Sequence, residues 1–496
     1  MPFDYLEVLK FAVPETILVV AALAVLTIDL TVMRDERLEH RFIVAGAFAC
    51  FGCLGAFFWT LNAGAQANLL NGMLVVDPLT RFVKLALLAL TLFTVLISME
   101  AKFTVHVGEY LALILIATVG MLFMVSAEEL LVIFVSLELT SLSLYILTAF
   151  NKQNINSAEA ALKYFFFGGL STAFTLFGLS LLYGLAGSTN LHLIANAFKG
   201  QSLSPLLVAA MVMTVIGFGF KVAAVPFHLW APDAYQGAPT PSAALIASGS
   251  KVASFFLFAK IMTIGFAGLE GSGAWRHFVS GWVPAVALLA ALSMILGNLA
   301  AIAQSNVKRL LAYSAIAHAG YALLGIAADT QQGMASLVYY VITYGLTVVG
   351  AFGVVHIVEQ NVGEATLDDF AGLSRRAPLL SFCMLVFMLS LAGIPPLAGF
   401  FGKFFLFVSA VGSGNSLGLL WLVVLAIAMS AVSLYYYLQV LKQIYVAEPP
   451  PKAVSINAPI TAQIPLGLLA LAVVVLGCAP DLLLGRLVEA IRLAGL

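Results

Sequence analysis

Six lysines interrupt the long apolar stretches of this sequence, and they are the residues best placed to do chemistry. They are Lys84, Lys163, Lys221, Lys251, Lys260 and Lys403. Arginine stays protonated in proteins, whereas a lysine that is deprived of water can become neutral and can therefore both release and accept a proton. A set made up of lysines alone is typical of a proton relay.

The depth of these lysines separates the candidates. Lys221, Lys251 and Lys403 lie far inside apolar segments, where a charge costs from about 3 to more than 10 kcal/mol, so a function is the expected reason for keeping it. Lys84 and Lys260 have an interface within reach, so the alternative to a relay role is that each extends to that interface or neutralises one fixed carboxylate.

One acidic residue, Glu138, lies well inside an apolar stretch. It follows Leu130 by eight residues, which places it about 12 Å further along a helix. A carboxylate at this depth requires a partner, and a nearby lysine would couple the protonation of the two groups into a switch. A static buried ion pair is the structural alternative.

Two more residues are candidates for proton transfer. His318 lies deep in a span, and imidazole exchanges protons near neutral pH, although a histidine that only packs and hydrogen-bonds fits the same pattern. Lys163 stands near the start of its span, where a relay role and an interfacial role are equally expected. No histidine pair has the spacing of a metal or haem site within one span, so we expect no cofactor on this chain.

The composition shows what must position these side chains. Of 496 residues, 62% are hydrophobic and 9% are charged, whereas soluble chains carry about 25% charged residues. The chain is therefore expected to be an all-α polytopic membrane protein with about fourteen transmembrane helices. The predicted spans are 12–33, 42–62, 80–98, 109–126, 129–150, 160–186, 204–230, 239–268, 283–304, 309–328, 333–359, 378–411, 416–445 and 458–478.

Glycine and proline predict breaks in three spans. They occur at 217–228 in the seventh span, 237–241 in the eighth and 393–396 in the twelfth. Backbone freed by proline is tolerated in a membrane only where protein buries it or water reaches it. Lys221 precedes Pro226, and Lys403 follows the twelfth-span break. Because five spans separate these two breaks, we expect two inverted five-helix repeats, spans 4–8 and 9–13.

The repeats divide the chain into four predicted parts. These are an N-terminal three-helix segment (1–100), a first half-channel repeat (105–270), a second inverted repeat (280–446) and a C-terminal helix and tail (447–496).

Basic residues in the connections predict the orientation. One side receives Arg34, Arg37, Arg41, Lys102, Lys152, Lys308, Arg309, Arg375, Arg376, Lys442 and Lys452. The other side receives Lys10, Arg81, Lys199, Arg276, Arg486 and Arg492. The richer side is expected to be cytoplasmic, with both termini outside. A net charge of −1 leaves no basic surface for nucleic acid.

Several motifs together resemble one known family. They are Glu138–Tyr145, Lys221–Pro241, Lys251, Val307–Ser314, and Gly393–Pro396 followed by Gly402-Lys403. The chain is similar to the antiporter-like membrane subunits of complex I and of Mrp-type sodium/proton antiporters, over spans four to thirteen. Lys403 stands where subunit M typically has Glu, and no long lateral helix is expected after the last span, as subunit L has. The resemblance therefore points to the third antiporter-like branch of the bacterial enzyme.

The resemblance implies roles for the matching residues. Glu138 and Lys221 would form the switch pair, Lys251 and His318 the central connection, and Lys403 the outlet-side carrier. Quinone reduction elsewhere in the complex would supply the energy. The implied partners are other membrane-arm subunits, such as the neighbouring subunit M and small subunits such as K, in a bacterial inner membrane.

Two other functions stay open at this point. An independent sodium/proton antiporter subunit would share the same motifs. A redox subunit that itself binds quinone is disfavoured, because the sequence shows no ligand set for a haem, cluster or flavin.

Overall fold

A computed structural model describes residues 5–64, 66–413, 418–449, 456 and 458–494. Among these residues, twelve helices are long and apolar enough to cross a membrane. The prediction of an all-α polytopic membrane protein is confirmed.

The N-terminal part contains four helices and a short antiparallel hairpin. The helices are α1 (Tyr5–Phe11), α2 (Val13–Thr31), α3 (Leu38–Asn62) and α4 (Pro78–Ser98). Between α3 and α4, strands β1 (Ala67–Leu69) and β2 (Leu74–Val76) pair with Ala67 opposite Val76, and a 3₁₀ turn (Leu70–Gly72) joins them.

The middle of the chain contains eight helices. They are α5 (Val107–Ser126), α6 (Leu130–Thr148), α7 (Ile155–Ala186), α8 (Leu191–Phe198), α9 (Pro205–Lys221), α10 (Trp230–Gly237), α11 (Thr240–Ala247) and α12 (Gly249–Lys260). A π-helical turn (Ile261–Gly265) continues α12. A second hairpin follows, in which β3 (Ser272–Ala274) pairs with β4 (His277–Val279) and Ser272 is opposite Val279.

The last part contains nine helices. They are α13 (Trp282–Ile302), α14 (Val307–Ala327), α15 (Gln331–Val362), α16 (Leu373–Arg376), α17 (Pro378–Ala392), α18 (Ala398–Val411), α19 (Leu420–Tyr445), α20 (Ile460–Cys478) and α21 (Asp481–Ala494). A 3₁₀ turn (Leu367–Phe370) precedes α16. Helices α11, α12, α14 and α15 are almost wholly buried and form the centre of the bundle.

Eleven of the predicted spans each coincide with one helix, and the eighth and twelfth each contain two. The seventh, 204–230, contains α9 and a non-helical segment that reaches the first residue of α10. The twelfth is broken where it was expected, because Gly393 adopts a left-handed conformation (φ 85°) and α18 begins only at Ala398. The total of fourteen crossings stays a prediction, since length and composition alone qualify the helices.

The seventh-span break lies within the predicted stretch 217–228 but begins before Pro226, whereas the eighth-span break differs from the sequence prediction. Helix α9 ends at Lys221 itself, five residues before Pro226, and Ala223 has a positive φ of 59°. The Gly237–Pro241 stretch separates α10 from α11, because its prolines stand at a helix start, where a missing N–H costs nothing. The break inside the eighth span lies at Ser248 (φ −117°, ψ −82°), next to Gly249.

Protein buries the first half of the non-helical segment 222–229, residues 222–225, and satisfies part of its backbone. The Val225 N–H donates to Ser293 Oγ (2.9 Å), and the Trp230 indole donates to the Phe220 carbonyl (3.0 Å). These bonds supply the partners that irregular backbone needs at membrane depth.

Two long helices resemble each other in length and ending. Both α7 and α15 have 32 residues. Each ends at a left-handed glycine, Gly187 after α7 and Gly363 after α15. Because left-handed backbone favours glycine, both sequences stop the helix in the same way.

A second likeness concerns the residue that precedes the fifth and tenth spans. Glu129 forms an antiparallel bridge with Asn190, and Asn306 forms one with Thr366. Each bridge joins the start of a span to the segment after the next span, at opposite ends of the bundle. The inverted repeats and the four-part division of the chain stay predictions, which these parallels support.

The bundle has two ends that differ in charge. We call the end where α7 begins and α15 ends the basic face, and the end where α2 begins and α3 ends the opposite face. The eleven basic residues predicted to share one side belong to connections at the basic face, except that Lys452 lies outside the described residues.

Candidate functional site

The predicted switch pair is brought together where α6, α7 and α9 meet. Lys221 ends α9, and its Nζ donates to Ser141 Oγ (2.6 Å) and lies 3.9 Å from Glu138 Oε1. Glu138 accepts a hydrogen bond from Thr172 Oγ1 on α7 (2.7 Å). At 3.9 Å the two charges form an ion contact without a hydrogen bond, so each can change partners easily.

The exposure of Glu138 differs from the expectation of a buried acid. The Glu138 side chain is 26% exposed, whereas that of Lys221 is 9% exposed. Glu138 lies at helical spacing between Val135 and Leu142, which are 64% and 50% exposed. The carboxylate therefore stands at the edge of an outward-facing stripe of α6.

Lys251 lies in the first turn of α12, three residues after the Ser248 break. Its Nζ donates to the backbone carbonyl of Ala315 on α14 (2.7 Å), and the residue is 2% exposed. Within the described part of the chain, no carboxylate lies within 4.0 Å of this ammonium group. Lys251 is thus held by a neutral acceptor at the centre of the bundle.

His318 follows Ala315 by three residues on α14 and is enclosed by hydroxyl groups. Its Nδ1 lies 2.6 Å from the Tyr340 hydroxyl and its Nε2 lies 3.0 Å from the Tyr437 hydroxyl. The Tyr437 hydroxyl is 2.5 Å from Ser314 Oγ. Both ring nitrogens therefore have partners that can donate or accept a hydrogen bond.

Contacts connect the surroundings of His318 to both deep lysines. Lys251 donates to the carbonyl of Ala315, three residues before His318. Lys403 lies 4.9 Å from the centre of the Tyr321 ring, which is 5.7 Å from the centre of the imidazole. The predicted central connection stays a prediction, and these contacts add Lys403 to its neighbourhood.

The ammonium group of Lys403 is held at the twelfth-span break. Its Nζ donates to the carbonyls of Leu391 (3.0 Å) and Ala392 (3.2 Å) and to Ser430 Oγ (2.9 Å). The ammonium also lies 4.9 Å from the centre of the Tyr321 ring. The last carbonyls of a helix have no partner within that helix and carry partial negative charge, so the end of α17 stabilises this cation.

Lys163 lies apart from these groups, at the basic face. It forms ion pairs with Glu159 (2.8 Å) and Asp233 (2.9 Å), and its side chain is 42% exposed. Arg309 binds the other oxygen of Asp233 (2.6 Å). Lys163, Glu159 and Asp233 line a polar cavity of about 330 Å³.

A second charged cluster lines the same cavity. Lys308 Nζ lies 2.7 Å from Glu359 Oε1, and the Thr240 hydroxyl donates to Glu359 Oε2. Because Thr240 begins α11, this cluster connects the cavity to the buried eighth span.

The remaining buried lysines neutralise carboxylates. Lys84 lies 2.6 Å from Glu15, and Lys260 lies 2.8 Å from Glu128. Their side chains are 2% and 1% exposed. These buried pairs support the structural interpretation of both lysines, as countercharges to fixed carboxylates, over a relay role.

Glu128 connects buried Lys260 to the surface. Its second oxygen lies 3.2 Å from His192 Nε2 on α8. Burial alone would raise the pKa of Glu128, but the His192 hydrogen bond and the Lys260 ammonium lower it to about 2. The hydrogen bond to Glu128 in turn raises the pKa of His192.

Sequence reasoning missed the hydroxyl groups that hold the titratable side chains. They are Ser141, Thr172, Tyr340, Ser430 and Tyr437. A signal was present for one of them, because three successive tyrosines, 435–437, are unusual inside an apolar span. In the described residues no group of three or more His, Cys, Asp or Glu side chains could hold a metal ion.

Comparison with known proteins identifies the relatives of this arrangement. Residues 127–430 match the family model described as "NADH:quinone oxidoreductase/Mrp antiporter, TM". A curated relative from Acidobacterium capsulatum, "NADH-quinone oxidoreductase subunit N 2", is 52% identical over 492 residues, 97% of this chain and 99% of the relative. A chain of respiratory complex I from Thermus thermophilus is 33% identical with a TM-score of 0.79, covering 96% of this chain and 99% of that one.

The fold alone does not separate the branches of this family. A chain of the Mrp complex from Dietzia sp. DQ12-45-1b gives a TM-score of 0.82 over 98% of this chain and 97% of its own, at only 19% identity. Sequence identity therefore decides, and it agrees with the third branch indicated by Lys403. The chain belongs to the NADH:quinone oxidoreductase/Mrp antiporter family of membrane subunits, in its subunit N branch.

Proposed function

We propose that this chain is a proton-translocating membrane-arm subunit of the respiratory NADH:quinone oxidoreductase, complex I, driven by quinone reduction elsewhere in the complex. The curated relative and the Thermus thermophilus complex I chain support this assignment. The redox reaction itself takes place on other subunits.

One observation carries the proposal: the deep lysines are hydrogen-bonded to neutral groups. Lys221 donates to a hydroxyl, Lys251 to a carbonyl, and Lys403 to two carbonyls and a hydroxyl. A neutral amine still donates to such partners, so these lysines can lose a proton without leaving a buried anion directly unpaired. Lys84 and Lys260, which form short pairs with carboxylates, cannot.

The proposed path has an inlet, a switch, a connection and an outlet. The polar cavity beside Lys163 is the inlet, and Glu138 with Lys221 is the switch. Lys251 and His318 form the connection, and Lys403 is the outlet-side carrier. Among the described residues no hydrogen bond joins Lys221 to Lys251, so transfer between them uses water or side-chain motion.

The electrostatic interaction between Glu138 and Lys221 is strong enough to control the release of a proton against the membrane potential. Moving one charge against 100 mV requires about 2.3 kcal/mol. Two unit charges about 4 Å apart interact by about 4 kcal/mol at an effective dielectric constant of about 20. A change in the charge or position of Glu138, 3.9 Å from Lys221, therefore alters the field at Lys221 by enough to couple proton release to a distant event.

Glu138 also indicates where a partner binds. A carboxylate between exposed Val135 and Leu142 would face lipid in an isolated chain, which is costly. We infer that another membrane-arm subunit covers this stripe of α6. The neighbouring subunit M and small subunits such as K are the expected partners of the chain.

The orientation follows from the distribution of basic residues. We assign the basic face, which carries ten of the eleven basic residues among those that the structure describes, to the cytoplasm of a bacterial inner membrane and both termini to the outside. Labelling of Cys replacements at Lys152 and Arg276 by an impermeant reagent tests this. The cysteine at position 276 should react with reagent added outside the cell, and the cysteine at position 152 should not.

The matched test of the function uses two lysines of the same helix. Lys251→Met should abolish most proton uptake by complex reconstituted in vesicles, with NADH oxidation by an artificial acceptor unchanged. The control, Lys260→Met with Glu128→Gln, removes an equally buried lysine together with its partner and should pump normally. Normal pumping by assembled Lys251→Met complex would refute the proposed path.

The sodium/proton antiporter alternative has less support. Two results from the same preparation would exclude the antiporter. The first is co-purification of the chain with the NADH-oxidising arm, and the second is proton pumping that is unchanged when choline replaces sodium. A chain that leaves the arm and exchanges sodium would favour the antiporter.

A further inference from the structure

A cavity of about 660 Å³ opens at the opposite face, among α1, α2, α3 and α4, far from the proposed proton path. Phe11, Phe58 and Trp59 form part of its apolar wall, and Lys10, Arg81 and Lys84 supply positive charge. Its volume is within the range of small-molecule sites. The described residues that line it include no carboxylate.

Two of its three cations have no acidic partner among the side chains that the structure describes, which on α1 begin at Val8. Lys84 is committed to Glu15 at 2.6 Å. Arg81 donates through Nη1 to the Ala63 carbonyl, but its Nε is buried and finds no hydrogen-bond acceptor among the residues that the structure describes. In the described part of the chain, no carboxylate lies within 4.0 Å of Arg81 or Lys10. A buried N–H without an acceptor is costly, so this geometry calls for an acidic ligand.

An apolar depression of about 430 Å³ lies next to this cavity. Lys10 lines both, and the depression continues along α2 past Val13, Ile17 and Val20. Val20 is 59% exposed. A charged chamber at the edge of the membrane thus adjoins an apolar channel that runs toward the middle of the bilayer.

We propose that this site binds an anionic phospholipid, with its phosphate against Arg81 and Lys10 and one acyl chain along α2. Arginine presents a planar set of donors that matches phosphate, and a phosphate oxygen would satisfy the free Nε. Aromatic residues such as Trp59 are typical of the headgroup level. A neutral amphiphile would fill the channel but leave the two cations uncompensated.

The test uses intact complex and a photoactivatable phosphatidylglycerol with a diazirine in its acyl chain. Label is expected in the α2 segment 13–20. Unlabelled phosphatidylglycerol should displace it, and inorganic phosphate should not. Phosphatidylcholine with the same chains should need a concentration about 30-fold higher, because each of two cations near an anionic headgroup contributes about a fivefold factor in affinity.

Variants assign the preference to the two cations. Lys10→Gln with Arg81→Gln should remove the preference for phosphatidylglycerol, whereas Lys199→Gln with Arg276→Gln, on the same face, should retain it. If the double variant fails to assemble, Lys10→Gln alone should reduce the preference about fivefold.

Three results would overturn the proposal. Equal competition by phosphatidylcholine would mean general contact with membrane lipid. Equal competition by a neutral quinone would mean an apolar site. Label on the isolated full chain but not on the complex would mean that a partner subunit covers the cavity.

Discussion

The seventh and twelfth spans are both broken beside a lysine, yet the two lysines are held in different ways. Lys221 belongs to the first half-helix of its span, ends it, and has Glu138 at 3.9 Å. Lys403 belongs to the second half-helix of its span and reaches back to the carbonyls that end the first. Within the described residues it has no carboxylate at ion-pair distance.

This difference separates two kinds of electrostatic control. The Glu138 carboxylate can change its charge or move, so the environment of Lys221 can respond to a signal. The carbonyl dipoles around Lys403 are fixed by the end of α17 and cannot respond. The first arrangement suits a switch, and the second suits a carrier with a constant preference for its proton.

The largest effect is expected at the carrier. Lys403→Met fills a similar volume but cannot hold a proton, so proton pumping should fall roughly tenfold or more. Ser430→Ala, which removes one of three acceptors, should cost far less. Pumping per assembled complex in vesicles measures both, and a Met variant that pumps normally would take Lys403 out of the path.

Lys221→Arg should be nearly as damaging. Arginine keeps the charge beside Glu138 but cannot release its proton, so pumping should also fall roughly tenfold. Lys84→Arg is the control, because Lys84 serves only as a countercharge to Glu15. Coupled turnover that stays normal in Lys221→Arg would return the pair to a static ion contact.

A smaller effect is expected at the acid of the switch. Glu138→Gln removes the charge of the switch but leaves Lys221 its proton and its hydrogen bond to Ser141, so pumping should fall about fivefold, less than in the two lysine variants. NADH oxidation with an artificial acceptor should stay intact, and Glu36→Gln on the exposed surface is the control. If the Glu138→Gln variant pumps as fast as wild type, Glu138 does not control Lys221, and the proposed contrast between Lys221 and Lys403 is wrong.

The smallest effect concerns two polar contacts at opposite ends of the bundle, the His192–Glu128 pair and the Asn306 cap of α14. Because the pKa of His192 is raised by Glu128, the stabilisation is complete below the ordinary histidine pKa and is lost as the pH rises through the raised value. His192→Gln should therefore lower the melting temperature of the complex by at most about 2 °C at pH 5.5 and not at all at pH 9.

The Asn306 cap at the basic face provides the contrast. Asn306 caps α14 by accepting from the Arg309 N–H (3.1 Å), an interaction without a titrating group. Asn306→Ala should lower the melting temperature equally at both pH values. An equal loss at both pH values for His192→Gln would show that its contact is packing and not charge.

The sequence predicted the features that depend on local chemistry. Gly393 and Pro395-Pro396 can break a helix in any context, so the twelfth-span break was visible from residue types alone. The depth of Glu138 was visible for the same reason, since it follows from position along a helix. Glu15 and Asp29 are also buried, but they lie near the ends of α2.

The features that escaped prediction depend on which face of a helix meets which neighbour. The Ser248 break has no proline, so only packing reveals it. The hydroxyl partners of His318 come from α15 and α19, far along the chain. Hydrophobic residues in membrane spans show almost no helical periodicity, because lipid and protein interior are both apolar. The sequence therefore could not show that Glu138 lies on the outward side of α6.

The outward position of Glu138 also matters for the life of the chain before it joins a complex. A newly inserted copy carries a partly exposed carboxylate at the edge of an outward-facing stripe of α6. In the proposed assembly, docking of a neighbouring subunit would cover this carboxylate. The group proposed to serve proton transfer would then also distinguish an orphan chain from an assembled one, and biogenesis would depend on the same carboxyl group as turnover.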